Sequence, residues 1–136
     1  MNFSNQNNIK ILVVEDDLYM QAILQEFLQT TYEVAIYPNG FDALACLQRG
    51  NLPDLIIADL NTPQFSGVEL IEQIKISDFF NSIAIIVLSG EESTAKRIAC
   101  LNAGADDFIV KPFNPAELEA RIKVILRRMG KLAVCI

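Results

Sequence analysis

Five short apolar runs divide the chain: "IKILVV" (9–14), "EVAIY" (33–37), "DLIIAD" (54–59), "IAIIVLS" (83–89) and "DFIVK" (107–111). Each is continuous rather than alternating in polarity, the pattern of a strand covered on both faces. Segments of helical period lie near 18–29, 40–48 and 67–76, and a fourth near 92–103 precedes the last run. Alternation this strict predicts a parallel sheet with right-handed crossovers. The expected fold is therefore α/β, a doubly wound five-stranded parallel sheet with helices on both faces.

The helix ends carry their own signals. Ser66-x-x-Glu69 is a capping box, and Asn114-Pro115-Ala116-Glu117 supplies an N-cap, a proline at the first helical position and an acid in the first turn. The final helix is expected over 115–128, with Leu118, Ile122, Ile125 and Leu126 on its apolar stripe and Arg127 and Arg128 at its negative end. Asp17 reads as the cap of the first helix, and Asn39-Gly40 as a turn. With 136 residues, 51% of them hydrophobic, one domain fits and a second does not. Its expected limits are 9–128, after a polar extension (1–8) and before a short tail (129–136). The tail sequence "GKLAVCI" is too apolar for a flexible linker, and either packs back on the domain or begins a linker to an output region.

Composition removes several kinds of chemistry. Lys plus Arg number 11 against 17 Asp plus Glu, a formal charge of -6, so the basic surface needed for direct nucleic-acid binding is missing. The absence of His excludes Ser-His-Asp and Cys-His catalysis and His-ligated zinc. Cys46, Cys100 and Cys135 show no C-x-x-C spacing and read as reduced thiols of a cytosolic protein. The polar start and the lack of a membrane-length apolar run lead to the expectation of a cytoplasmic chain with no membrane partner.

The polar residues of interest fall at strand ends. In an open parallel α/β sheet, ligands bind where the order of connection reverses, outside the carboxyl ends of the strands. Glu15 and Asp16 follow the first run, Asp59 ends the third, Ser89 the fourth and Lys111 the fifth. Carboxylates, a hydroxyl and a lysine converging there make an oxygen-ligand cation site beside a phosphate site, best suited to Mg²⁺. A carboxylate attacks an anionic phosphoryl group only when charge is neutralised, which a metal and a lysine provide.

Taken together, Glu15-Asp16 after "ILVV", Asp59 in "LIIADLNTPQFSG", Ser89 in "IIVLSG" and Lys111-Pro112 in "AGADDFIVKPF" resemble the receiver (CheY-like) domain of two-component response regulators over 9–128. The resemblance implies that Asp59 is the nucleophile taking a phosphoryl group from a sensor histidine kinase or phosphotransfer protein. Asp16 would ligate Mg²⁺ directly, Glu15 through water and Asn61 through its backbone carbonyl, with Mn²⁺ able to substitute. Lys111 would pair with Asp59 and then with the phosphoryl oxygens, and the Ser89 hydroxyl would turn toward the new phosphate. Phe108 matches the switch aromatic, and Lys111-Pro112 is implied to be cis. The family often has Thr at the position of Ser89 and Tyr at that of Phe108. Asn61 and Glu91 would flank the hydrolytic water, from which a short-lived aspartyl phosphate is expected.

The stretch "AGADDFIVKPFNPAELEARIKVILRR" further resembles receivers of winged-helix transcription regulators, which dimerise through the last two helices and the strand between them. That implies a homodimer face carrying Lys96, Arg97, Asp106, Asp107, Glu117, Arg121 and Lys123, against the plainer reading of a solvated charged surface. Two alternatives stay open from sequence: a phosphorylation-independent scaffold, and a Mg²⁺-dependent phosphohydrolase, whose D-x-D signature is broken by Asn61.

Overall fold

A computed structural model describes residues 8–61, 65–90 and 93–132. The chain alternates β1 (Lys10–Val14), α1 (Leu18–Leu28), β2 (Glu33–Tyr37), α2 (Gly40–Gln48), β3 (Leu55–Asp59), α3 (Gly67–Ile76), β4 (Ala84–Ser89), α4 (Thr94–Ala103), β5 (Asp107–Val110) and α5 (Pro115–Arg128). The strands form one sheet in the order β2-β1-β3-β4-β5, with every pairing parallel. All residues of the inner strands β3 and β4 are buried, which accounts for their uninterrupted apolar sequence.

Period-two alternation divides the core into two layers. Ile11, Val13, Leu55, Ile57, Ile86, Leu88 and Ile109 meet Leu24 and Leu28 of α1 and Leu118, Ile122 and Leu126 of α5. On the other side Leu12, Val14, Ile56, Ala58, Ile85 and Val87 meet Ala43 and Leu47 of α2, Leu70, Ile71 and Ile74 of α3 and Cys100 of α4. Each fully buried Leu or Ile contributes about 1.5–3 kcal/mol relative to exposure, so the layers dominate the stability of the fold.

The caps fall largely where expected. Asp17 accepts from the Met20 amide, Ser66 and Glu69 form the reciprocal box, and Asn114 accepts from the Ala116 amide. Asn39, expected in a turn, instead caps α2 by accepting from the Asp42 amide. Gly40 follows because a Cβ there would lie 2.7 Å from the Phe65 ring, so the loop after β3 lies close against the start of α2. The fourth helix begins at Thr94 behind the Ser93 cap. It ends at Gly104, whose φ of 121° suits glycine. Beyond α5, Lys131 Nζ lies 2.6 Å from Asp54 Oδ1, and Leu132 packs against the α1/α5 layer. The start of the tail thus returns to the sheet, while 133–136, Cys135 included, lie outside the described residues. Cys46 and Cys100 are free, buried thiols. Among the described residues no helix is long and apolar enough to cross a membrane.

Candidate functional site

The chain passes from β1 to β2 on one side and then to β3 on the other, so the connection reverses at the carboxyl ends of β1 and β3. Three carboxylates meet there. Glu15 continues β1 by one residue, its amide donating to the Tyr37 carbonyl at 3.0 Å, and its side chain is 1% exposed. Asp16 faces solvent, and Asp59 closes β3. One oxygen from each lies within 4.8 Å of the others.

Lys111 reaches across from the end of β5. Its amide donates to the Ser89 carbonyl at 2.7 Å, and the following bond to Pro112 is cis. Its Nζ lies 3.0 Å from Glu15 Oε1 and 3.1 Å from Asp59 Oδ2. The Asn61 amide donates to Asp59 Oδ1 at 3.0 Å, so both acceptor oxygens of Asp59 are held. Ser89, wholly buried, ends β4 one residue beyond Leu88, the register partner of Asp59. Glu15, Asp16, Asp59, Ser89 and Lys111 are therefore gathered at one end of the sheet, as their strand-end positions predicted, and Asn61, named only through the family resemblance, lies beside Asp59. Glu91 lies outside the described residues.

Burial pushes the Glu15 carboxyl above the usual range, and the Asp59 charge adds to this; the hydrogen bonds from Lys111 and from the Asp17 amide act the other way. Burial alone would lower the Lys111 pKa, but hydrogen bonds and attraction from Glu15 and Asp59 outweigh it and hold the ammonium charged. Three carboxylates against one ammonium leave two negative charges unbalanced when all ionise. An oxygen-only donor set with that deficit, one acid open to solvent, fits a small hard divalent cation.

Sequence reasoning missed two contacts. Gln21 Nε2 donates to the Glu15 carbonyl at 2.6 Å and so fixes the acidic turn. Its only sequence signal is its place one turn after the Asp17 cap. The Arg97 guanidinium lies 5.3 Å from the centroid of the Phe108 ring.

The charged face divides. Arg121 pairs with Asp107 at 3.0 Å and with Glu117 at 2.9 Å within the same chain, while Lys96 and Arg97 are exposed on α4. Ile98 and Leu101 of α4 are also substantially exposed, an apolar component that sequence reasoning did not assign to this face. Asp106 turns elsewhere: it accepts from the Ile85 amide at 2.8 Å and lies 3.9 Å from Lys75 of α3. Lys123 pairs with Glu119 at 3.7 Å, and Glu119 accepts from the hydroxyl of Tyr32, the buried residue just before β2.

Comparison with known proteins agrees with this arrangement. The family model "Response regulator receiver domain" matches residues 11–123. The transcriptional regulatory protein PrrA of Mycobacterium tuberculosis is 42% identical over 125 residues, covering 91% of this chain and 52% of that protein. A crystal structure of a putative response regulator from Chloroflexus aurantiacus superposes with a TM-score of 0.83 at 32% identity, covering 88% of this chain and 98% of that one. The receiver domain of a sensor histidine kinase from Pseudomonas aeruginosa, solved with a magnesium ion in its active-site cleft, gives 0.78 at 28% identity, covering 90% and 98%. The flavodoxin-like, CheY-like fold and the acidic crevice define a signalling receiver. The chain belongs to the response regulator receiver domain family. It spans about half the length of the curated relatives it matches.

Proposed function

We propose that Asp59 accepts a phosphoryl group from a phosphohistidine on a sensor histidine kinase or phosphotransfer protein in the cytoplasm, in a Mg²⁺-dependent reaction. The observation that carries this reading is the Lys111 ammonium shared between Glu15 and Asp59, with Asp16 completing the acid cluster. The magnesium in the cleft of the Pseudomonas receiver supports the choice of metal.

Asp16, Glu15, Asp59 and the Asn61 carbonyl would hold the ion. Bound Mg²⁺ would neutralise charge on the acid cluster and the incoming phosphoryl oxygens. Lys111 and the Asn61 amide orient the Asp59 carboxylate. An Asp59 oxygen forms the new bond to phosphorus, the P–N bond breaks, and the imidazole leaves with that electron pair. Lys111 remains beside the product as a fixed positive charge, and the Ser89 hydroxyl donates to a phosphoryl oxygen. The domain assists its own phosphorylation and the later hydrolysis, to which Asn61 and Glu91 contribute, rather than turning over a separate substrate.

The added phosphoryl charge then shifts the surface formed by α4, β5 and α5 toward a homodimer. The exposed Ile98 and Leu101 of α4, together with the Asp107, Glu117 and Arg121 ion pairs of β5 and α5, support this face. Intact-mass analysis after incubation with acetyl phosphate and Mg²⁺ tests the phosphorylation reading. One phosphoryl adduct is expected on the wild type and none on Asp59→Asn; equal labelling of both would refute it.

A further inference from the structure

The Arg97–Phe108 contact serves neither the acidic crevice nor the ion pairs of α5. Phe108 of β5 stands opposite Val87 of β4, and its side chain packs in the layer containing Val87, Ala105 and Cys100. Ser89 is two residues beyond Val87, so the period of the strand puts it on the same side of the sheet, diagonal to Phe108. An aromatic ring spans such a diagonal separation. Phe108 is only half-buried, and the guanidinium of Arg97 lies over its ring. Arg97 comes from α4, where Cys100 alone is fully buried among the described residues. One weakly anchored helix therefore grips, through one side chain, the ring that neighbours the hydroxyl at the end of β4.

We propose that Arg97 is a positioning residue that holds the Phe108 ring at the α4–β5 surface and so limits how often the Ser89 side of the crevice closes around an occupant of Asp59. This rests on the phosphoacceptor reading above. The attraction is electrostatic, between a cation and the negative face of the ring. Phenylalanine has no hydroxyl to tether it to another group, so the guanidinium is the polar hold on its exposed face. A ring that moves toward Ser89 gives up that hold. Arg97 thus favours the resting arrangement, and a contact of this kind biases the equilibrium by about two- to fivefold.

The test places mono-, di- and trifluorinated phenylalanine at position 108 of the full chain, which weakens the negative face of the ring in steps with little change of shape. Apparent affinity for beryllofluoride, a phosphoryl analogue, is measured in Mg²⁺ by NMR titration. In the wild-type background it should rise with each fluorine, by about two- to fivefold in total. Arg97→Gln should raise the affinity of the unfluorinated protein by a similar factor and abolish the dependence on fluorine, while Arg97→Lys should restore much of it. A flat series in the wild type, or the same slope in Arg97→Gln, would overturn the role of Arg97 alone. Failure of the wild type to bind beryllofluoride would overturn the phosphoacceptor reading, and this role with it.

Discussion

Asp59→Asn should stabilise the protein without metal and weaken its response to magnesium. The substitution relieves repulsion with Glu15 and Asp16, whose oxygens lie within 4.8 Å, and forfeits the attraction to Lys111 at 3.1 Å. At the 4.8 Å limit of the cluster each like-charge pair costs about 3.5 kcal/mol at an effective dielectric of ~20, and about 0.9 kcal/mol in bulk water, and a shorter separation costs more. The Lys111 pair at 3.1 Å is worth about 5 kcal/mol and 1.3 kcal/mol in the same limits. Two repulsions relieved against one attraction lost leave about 0.4 to 1.5 kcal/mol in favour of the variant. For a domain of this size ~1 kcal/mol moves Tm by about 3–5 °C, so in EDTA the variant should melt about 1–7 °C above the wild type. Magnesium at ten times its Kd adds about 1.4 kcal/mol to the wild type and less to a variant that has lost a ligand, so the gap should narrow or reverse. Calorimetric scans at mildly alkaline pH, with EDTA and with MgCl₂, read both effects. A variant that melts below the wild type in EDTA, or an equal magnesium response in the two proteins, would refute the crowded-carboxylate reasoning.

Other outcomes follow from the same geometry. Glu15 binds its proton more tightly in the folded chain, so its contribution to metal-free stability is present below the usual glutamate range and lost as pH rises through its raised pKa. Magnesium affinity should run the other way, falling as the solution is acidified through that pKa; calorimetry in buffers of different ionisation enthalpy should detect a released proton, and Glu15→Gln should abolish it. Tyr32→Phe removes a buried hydroxyl that donates to Glu119 at 3.0 Å and should cost about 1–2 kcal/mol in urea unfolding; an unchanged midpoint would show that the bond contributes nothing. Sedimentation with Mg²⁺ and beryllofluoride should reveal a dimer absent without them, and identical monomer profiles would count against the α4–β5–α5 face.

Much of this arrangement was legible because strand ends are hard to disguise. Glu15, Asp59, Ser89 and Lys111 each follow or close an apolar run, and parallel topology carries all such ends to one edge of the sheet. The charged face was read less well. Asp106 and Asp107 are neighbours at the entry to β5, where successive side chains point to opposite faces, and Asp106 accordingly binds the Ile85 amide while Asp107 meets Arg121 of α5. Arg121 and Lys123 are two positions apart on a helix and project in different directions, the first toward Asp107 and the second toward Glu119. Those separations were available in the sequence. The Arg97–Phe108 contact was not, because it depends on how α4 is rotated against the sheet, and a helix with so little buried surface leaves that rotation weakly encoded.

The same weak encoding bears on how a signal would leave the crevice. β3 and β4 are buried along their whole lengths, so the strand backbone at Asp59 and Ser89 is set by packing on both faces, and adjustment there is left to side-chain rotation and to the loop that follows Ser89. A phosphoryl group on Asp59 replaces one carboxylate charge with about −1.5 to −2 and adds acceptor oxygens, beside the two carboxylates of Glu15 and Asp16. The response is expected where the local opening free energy is smallest, and that scales with how little apolar surface an element buries. α4 meets that condition: Cys100 is its fully buried residue, while Ile98 and Leu101 remain substantially exposed. A fixed strand framework beside a loosely held helix is therefore expected to pass a local change of charge into displacement of α4, and anchoring α4 with further buried residues should stabilise the domain and blunt its response.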